Sequence, residues 1–429
     1  MSGTVLDNKT VFQFTNGIWK SKHGPYIKAS ILRSTNFVGD TSLSYDNFAE
    51  VDIEDRIAEK NALQYGDIII ERSGGGPKQP VGRVAFFEKR KDELFFAGNF
   101  TSVLRIIDQS AFHPRYVSYY LHFLYAAGAT NTLQRATTGI RNLDWSAYKK
   151  FEIPELPLKE QKAVASVLLM IQRSYRHERL GEQNAVELKK AAMHNLFTRG
   201  LRGESQKETE IGPVPESWNI QPLGSIASLE RGRFMHRPRN EPRFYGGHMP
   251  FIQTGDVVRS RGRIREYTQT LNDQGIRISR VFPKGTILMT IAANIGYTGI
   301  LCMDAACPDS LVAISPDDSA VVQYLHYYLQ TQQPKMDQAA PKGTQKNINI
   351  QFLSPWPVPL PPTEDEQREI VGILEAVDQK IDLHRRKKAV LEELFKSLLH
   401  KLMTGEVRVG DLDLSALESL PPETQGGAA

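Results

Sequence analysis

The chain has 429 residues, too many for one ordinary core and enough for two to four domains. Its 40% hydrophobic and 24% charged content is that of a soluble globular protein, and its net charge of +4 is mildly basic. No apolar run approaches the roughly 20 residues of a membrane span and residues 1–10 carry no signal-peptide stretch, so a cytoplasmic location is expected.

The first block, residues 1–152, holds short β-type runs separated by Gly, Pro, Asp and Asn. Gly66-Asp67-Ile68-Ile69-Ile70-Glu71 reads as a turn entering a buried strand, and residues 116–127 as a helix packed on the strands. The run Ser73-Gly74-Gly75-Gly76-Pro77-Lys78-Gln79 invites a phosphate-loop reading, but Pro77 and the missing Gly-Lys-Thr argue against it. A second turn is spelled by Thr138-Gly139-Ile140-Arg141-Asn142-Leu143.

A helix is expected from the proline-rich Ile153-Pro154-Glu155-Leu156-Pro157 onward, because proline tolerates a first turn but not a helix interior. Val164, Leu168, Ile171, Tyr175, Ala185, Ala192 and Leu196 follow the 3.5-residue spacing of a coiled coil, interrupted by Glu178, Glu182 and Lys189. Gly200 or Gly203 stops it. Residues 204–216 read as a linker, polar at first and rigid at Ile211-Gly212-Pro213-Val214-Pro215.

The second block, residues 217–357, repeats the turn-strand pattern in Gly285-Thr286-Ile287-Leu288-Met289-Thr290 and predicts a helix over residues 320–330. From Arg231 to Arg280 it has eleven arginines, no lysine and four acids. The arginine fork suits phosphate oxygens and the guanine O6/N7 edge, so a nucleic-acid face is preferred over a merely solvated one. Cys302 and Cys307 lack ligand-spaced partners and are expected as buried thiols rather than a zinc site or a disulfide.

The helical segment then returns. Residues 160–202 lie over 366–408 without a gap at an offset of 206, with 11 identities in 43 positions. The second copy, after Val358-Pro359-Leu360-Pro361-Pro362, carries Ile370, Leu374, Val377, Ile381, Leu391, Phe395, Leu398 and Leu402, interrupted by His384 and Lys388. Two such rods, each of about 54 Å at about 1.5 Å per residue, can pair antiparallel. Their centres would then set Glu178 and Glu182 against His384 and Lys388, or let those groups reach sideways into solvent. Leu188/Leu394 and Phe197/Met403 are candidates for an outer, partner-facing surface, with burial in the coiled coil the alternative for the first pair. A tail, residues 409–429, follows.

Pro154…Pro157-Leu158-Lys159-Glu160-Gln161, its repeat Leu360-Pro361-Pro362…Glu366-Gln367, the helix ends Leu196-Phe197-Thr198 and Leu402-Met403-Thr404-Gly405, and Ile211-Gly-Pro-Val-Pro-Glu-Ser-Trp218 resemble the DNA-specificity subunits of type I restriction–modification systems. The first block departs from that pattern, having at best a remnant of the Pro-x-x-Trp approach at Gly17-Ile18-Trp19. The resemblance implies two α/β (α+β) target-recognition domains, 1–152 and 217–357, and two helical spacers, 153–203 and 358–408, forming an intramolecular antiparallel coiled coil. It also implies a non-catalytic subunit that binds a bipartite, asymmetric double-stranded DNA sequence. Two copies of a methyltransferase (modification) subunit, and restriction–translocase subunits, would be its partners.

The residue inventory agrees. There is no Asn-Pro-Pro-Tyr-like motif, no Gly-rich methyl-donor loop and no nucleotide-phosphate loop, and none of the ten histidines has metal-ligand spacing. Pro308-Asp309-Ser310 lacks the Glu-x-Lys of a nuclease site. No metal, cofactor or catalytic residue is expected. The DNA-contact candidates are Arg72, Ser73, Lys78, Gln79, Arg135, Thr138, Arg141 and Asn142 in the first block. In the second they are Arg231, Arg233, Arg237, Arg259, Arg261, Asn294, Lys342, Gln345, Lys346 and Asn347. Arg–guanine and Asn/Gln–adenine pairs discriminate bases, while most basic groups touch phosphate and only position the protein. A coiled-coil adaptor with an incidental basic surface is the alternative, and an enzyme with a degenerate site ranks last.

Overall fold

The computed structural model describes residues 2–20, 24–76, 79–88, 94–137, 140–318, 320–341 and 346–412. The chain forms two compact units. One takes residues up to Arg179 together with those from Arg386 onward, and the other takes Leu180–Arg385. Each unit therefore combines a mixed α/β body with half of each of two long helices, Leu158–Arg199 and Glu364–Thr404.

In the first unit, the strands Phe12–Asn16, Thr101–Ile106, Ile68–Glu71 and Val84–Phe86 lie side by side in that order, all antiparallel. Ile68, Ile69 and Ile70 are fully buried, which is why this strand reads as an unbroken apolar run rather than an alternating one. A second sheet orders Ala49–Glu54, Tyr26–Leu32 and Phe95–Ala97. The short strand Gly3–Val5 pairs with Glu152–Pro154 at the head of the first long helix. Helix Pro114–Ala126 packs through Tyr116, Val117, Tyr119 and Leu121 onto Val164, Leu168 and Ile171 of one long helix and Phe395, Leu399 and Leu402 of the other. Full burial of such aliphatic side chains stabilises by about 1.5–3 kcal/mol each.

The second unit repeats this plan. Its main sheet runs Ala227–Arg231, Leu311–Pro316, Ile287–Thr290, Thr298–Leu301, with Arg263–Ile264 added in parallel at the edge. A smaller sheet orders Gln269–Leu271, Tyr245–Phe251, Ala305–Ala306 and Val281–Phe282. Asn219–Pro222 pairs with Pro357–Leu360 ahead of the second long helix. Helix Val322–Ala339 packs Tyr324, Leu325, Tyr328 and Leu329 against Met193, Leu196 and Phe197 and against Ile370, Val371 and Leu374.

Within this unit the helix halves run antiparallel, since Arg202 pairs with Glu366, Lys189 with Asp378 and Glu182 with Arg385, advancing along one as they retreat along the other. The seam positions read from the 3.5-residue spacing hold: Val164, Leu168 and Ile171 are buried with Phe395 and Leu402, and Leu196 with Ile370 and Leu374. The helices end at Arg199 and Thr404, each followed by a glycine with positive φ.

The repeated Glu-Gln pair acquires a physical role. The side chain of Gln161 accepts from the backbone N–H of His113 at 2.8 Å and donates to the carbonyls of Ala111 and Leu156. Gln367 accepts from the N–H of Val321 at 2.8 Å. His113 and Val321 are the residues that open the two packing helices, so each glutamine satisfies an otherwise orphaned helix-start donor. Glu366 is buried and accepts from the Trp218 indole at 3.2 Å.

Several expectations are corrected. Trp19 is 43% exposed whereas Trp218 is fully buried, so Trp19 is no counterpart of it; the strand Gly3–Val5 occupies the equivalent place in the first unit. Inside the stretch read as a linker, Gln206–Lys207 pairs with Val214–Pro215 and Glu204 accepts from Ser217. The two strands pair because the 209–212 turn closes on itself through Thr209 and Gly212. Cys307 is buried but Cys302 only half-buried. Phe197 and Met403 are buried, Phe197 edge-on to Tyr324 and Tyr328, which removes this pair from any partner-facing surface. Among the described residues, no helix is long and apolar enough to cross a membrane.

Candidate nucleic-acid interface

In the first unit, two distant stretches of candidates meet in one small sheet, ordered Gln134–Thr137, Ile140–Leu143, Ser73–Gly75. Asn142 lies opposite Arg135 on one side and Ser73 on the other. The Ser73 hydroxyl donates to Asn142 Oδ1 at 2.6 Å. Arg141 is half-buried beside them, and Arg135, 69% exposed, is held by Asp144. Asp144 also caps the short helix Trp145–Tyr148 by accepting from the N–H of Ala147 at 3.1 Å.

Arg72 turns inward. Its guanidinium sits 4.7 Å from the Trp145 ring centroid and donates to Asn16 at 2.9 Å and Ser102 at 3.3 Å, and burial lowers its pKa. It braces the sheet. The Gln79 carboxamide oxygen faces the guanidinium of Arg83, which is itself paired with Glu71. Lys78 and Thr138 lie outside the described residues.

The second unit builds the same framework from different side chains. The N–H of Leu143 donates to the carbonyl of Arg72 at 2.8 Å, and that of Ile348 to Ile291 at 3.0 Å. The N–H of Arg72 donates to Phe100 at 2.8 Å, and that of Ile291 to Ser310 at 3.1 Å. Asn349 caps helix Ile350–Leu353 as Asp144 caps its own. Asn347 bridges Ala292 as Asn142 pairs with Ser73. Asn294 and Asn347 are exposed here, and Lys346 pairs with Asp337 at 3.0 Å. Lys342 and Gln345 lie outside the described residues.

The arginine-rich stretch divides. Arg231 and Arg237 gather at the turn holding Asp309, next to Ser310 and therefore beside the 291–297 turn. Arg233 is exposed and donates to the carbonyl of Ser279 at 3.3 Å. Arg259 pairs with Asp256. Arg261 is exposed at φ +52 and lines a cavity of about 310 Å³ with Gly262, Tyr297, Gln330 and Gln333. A non-glycine residue at that φ is an uncommon conformation, found where the surrounding backbone imposes it.

At the helix centres, Glu182 pairs with Arg385 at 2.7 Å and Glu178 with Lys387 at 3.7 Å, in the stretch that also holds the proposed bases His384 and Lys388. His384 lies against the backbone of Gly181.

Sequence reasoning missed Asp309 as an anchor, and missed the exposed Phe100 and Ile140, which border the first unit's small sheet. Non-local pairing leaves no mark in spacing. Exposed arginine, asparagine and apolar groups on short strands and turns can touch phosphate, base edges and thymine methyls. Among the described residues no three His, Cys, Asp or Glu side chains form a group able to hold a metal.

Known proteins resemble this chain in sequence and in fold. Residues 215–393 match the family model described as the type I restriction modification DNA specificity domain. The putative type I restriction enzyme MjaX specificity subunit of Methanocaldococcus jannaschii is 25% identical over 397 residues, 92% of this chain and 91% of that protein. The MjaIX specificity subunit of the same organism is 29% identical over 215 residues, 47% of this chain and 48% of its own. In fold, the chain superposes on the crystal structure of a type I restriction–modification S subunit from M. genitalium with a TM-score of 0.60 at 17% identity, covering 94% of this chain and 95% of that one.

Proposed function

We infer that this chain, a DNA-specificity subunit of the type I restriction–modification kind, reads a split and asymmetric double-stranded DNA sequence, one half at each unit, and catalyses nothing itself. The observation that carries the reading is the pair of matched turn frameworks, 72–75 with 140–143 and 291–292 with 347–348, which share backbone bonds and one asparagine (Asn142, Asn347) and differ in their other side chains. A common scaffold with unlike exposed groups is what two different half-sites require. In this proposal Ser73, Arg135, Arg141, Asn142, Asn294 and Asn347 face bases or nearby phosphates, and Arg231, Arg233, Arg237, Arg259, Arg261 and Lys346 face phosphates.

The proposed functional division keeps the boundaries read from the sequence: recognition domains 1–152 and 217–357, helical spacers 153–203 and 358–408, a 204–216 connection that folds as a strand pair, and a 409–429 tail. The long helices are the proposed docking place for two copies of a modification subunit, and for restriction subunits beyond them. Leu180, Leu188 and Leu383 supply exposed apolar contacts.

Mapping modified sites in a host genome after residues 217–357 are replaced by those of a relative tests the reading. One half of the modified sequence should change and the other should persist. Loss of both, or change of both, sinks the assignment. Specific binding should also weaken steeply with salt, through counterion release, whereas an adaptor's binding would not.

A further inference from the structure

Most ion-paired arginines of the second unit take one carboxylate each: Arg259 has Asp256, Arg263 has Glu375 and Arg280 has Glu230. Asp309 differs. One of its carboxylate oxygens accepts from Arg237 at 2.9 Å and the other from Arg239, while its backbone carbonyl accepts from Arg231 Nε at 2.6 Å. Two guanidinium groups thus share one carboxylate and a third sits on the same residue's backbone carbonyl, leaving two positive charges in excess. The group stays open to solvent, with side-chain exposures of 51% for Arg237, 42% for Arg239 and 33% for Asp309.

The convergence is built into the backbone. A Cβ on Gly232 would stand 2.3 Å from the carbonyl oxygen of Pro308 and 2.7 Å from that of Cys307, so only glycine lets the chain after Arg231 lie against this turn. The N–H of Gly232 then donates to Leu311 and that of Arg233 to Cys307, both at 2.9 Å. Arg237 is pinned further by the carbonyls of Phe234 and His236. Among the described residues, Nη1 and Nη2 of Arg231 meet no acceptor. A carboxylate and a DNA phosphodiester present these donors with the same thing, one negative charge shared by two oxygens.

We propose that Asp309 is a specificity-determining residue: in the DNA-free protein it fills the anion position of an arginine clamp that grips one phosphodiester, and so restrains sequence-independent binding. The inference rests on the DNA-reading function above. Each phosphate neutralised adds affinity that carries no sequence information. A built-in competitor makes the clamp engage only when other contacts hold the backbone in place.

The test measures binding of the full-length chain to a fluorescently labelled duplex of scrambled sequence across a salt titration. Asp309→Asn, nearly isosteric and uncharged, should tighten binding several-fold and steepen the slope of log K against log salt by about 0.9, the increment for one further phosphate. Asp273→Asn, an exposed acid of the same unit, should leave both unchanged. Adding Arg231→Ala, Arg237→Ala and Arg239→Ala to Asp309→Asn should abolish the gain. Unchanged or weaker binding by Asp309→Asn overturns the inference, as does an equal gain from Asp273→Asn or a gain that survives loss of the arginines. A wild-type chain that binds no duplex at any salt defeats the DNA reading itself, a distinguishable result.

Discussion

The two units solve one packing problem twice, with opposite chemistry at matched places. In the first, the hydroxyl of Tyr119 donates to Gln172 at 2.8 Å, and Phe395 lies edge-on to the Tyr119 ring at 6.0 Å. In the second, the hydroxyl of Tyr327 donates to Asp378 at 2.7 Å, and Lys189 sits 4.9 Å above the Tyr327 ring. Gln172 and Asp378 are 206 residues apart in the repeat, as are Lys189 and Phe395. A neutral amide and a phenyl ring in the first unit are matched in the second by a carboxylate and an ammonium that pair with each other, with the tyrosine tether kept. Geometry is thus held by the tether and the backbone, leaving the flanking side chains free to change.

The sharpest asymmetry is Trp218, fully buried in the second unit and without a counterpart in the first. Trp218→Ala should cost about 3–5 kcal/mol, and hydrogen exchange should place that loss in residues 180–385 alone. Equal loss of protection in both units would mean that the comparison is wrong. The glutamines should behave as a pair. Gln161→Ala and Gln367→Ala each strand a buried helix-start donor and should cost about 1–3 kcal/mol, each in its own unit, by urea unfolding.

Acid should weaken both units, since burial also lowers the His122 pKa of the first to about 4, and the second over the wider range. Burial lowers the His326 pKa to about 3, with Lys189 and Arg263 adding repulsion, against 6.5 for an ordinary histidine. The folded unit therefore binds fewer protons than the unfolded chain. Its stability from this group is complete above pH 6.5 and is lost as pH falls from 6.5 toward about 3, by about 1.4 kcal/mol per pH unit. His326→Gln should flatten that slope in an acid melt. The smallest effect concerns the repeat itself. Lys189→Phe with Asp378→Gln copies the first unit's chemistry into the second, and each single change should destabilise more than the pair does, with a coupling of about 1 kcal/mol in a double-mutant cycle.

The long helices and their seams were legible because an apolar period and a gapless repeat are local signals, whereas their antiparallel pairing was implied only by the family resemblance. Ser73 and Asn142 were legible as turn residues; that they meet was not, because strand pairing between residues 73 and 142 leaves no trace in spacing. Arg72 misled for a related reason. Arginine composition suggests an outward group, yet Trp145, Asn16 and Ser102 together offer a better inward site. Asp309 reads in sequence only as part of a Pro-Asp-Ser without a nuclease pattern, because its arginine partners stand about 70 residues earlier in the chain.

One feature of chain layout governs how the molecule comes into being. The second unit is a single uninterrupted stretch, Leu180–Arg385, whereas the first needs residues from both ends of the polypeptide. During synthesis the later-made unit can close first, while the earlier-made one waits on the ribosome for Phe395, Leu399 and Leu402 to emerge and cover its packing helix. A premature stop near residue 385 should accordingly leave a sound second unit attached to an unfinished, protease-sensitive first.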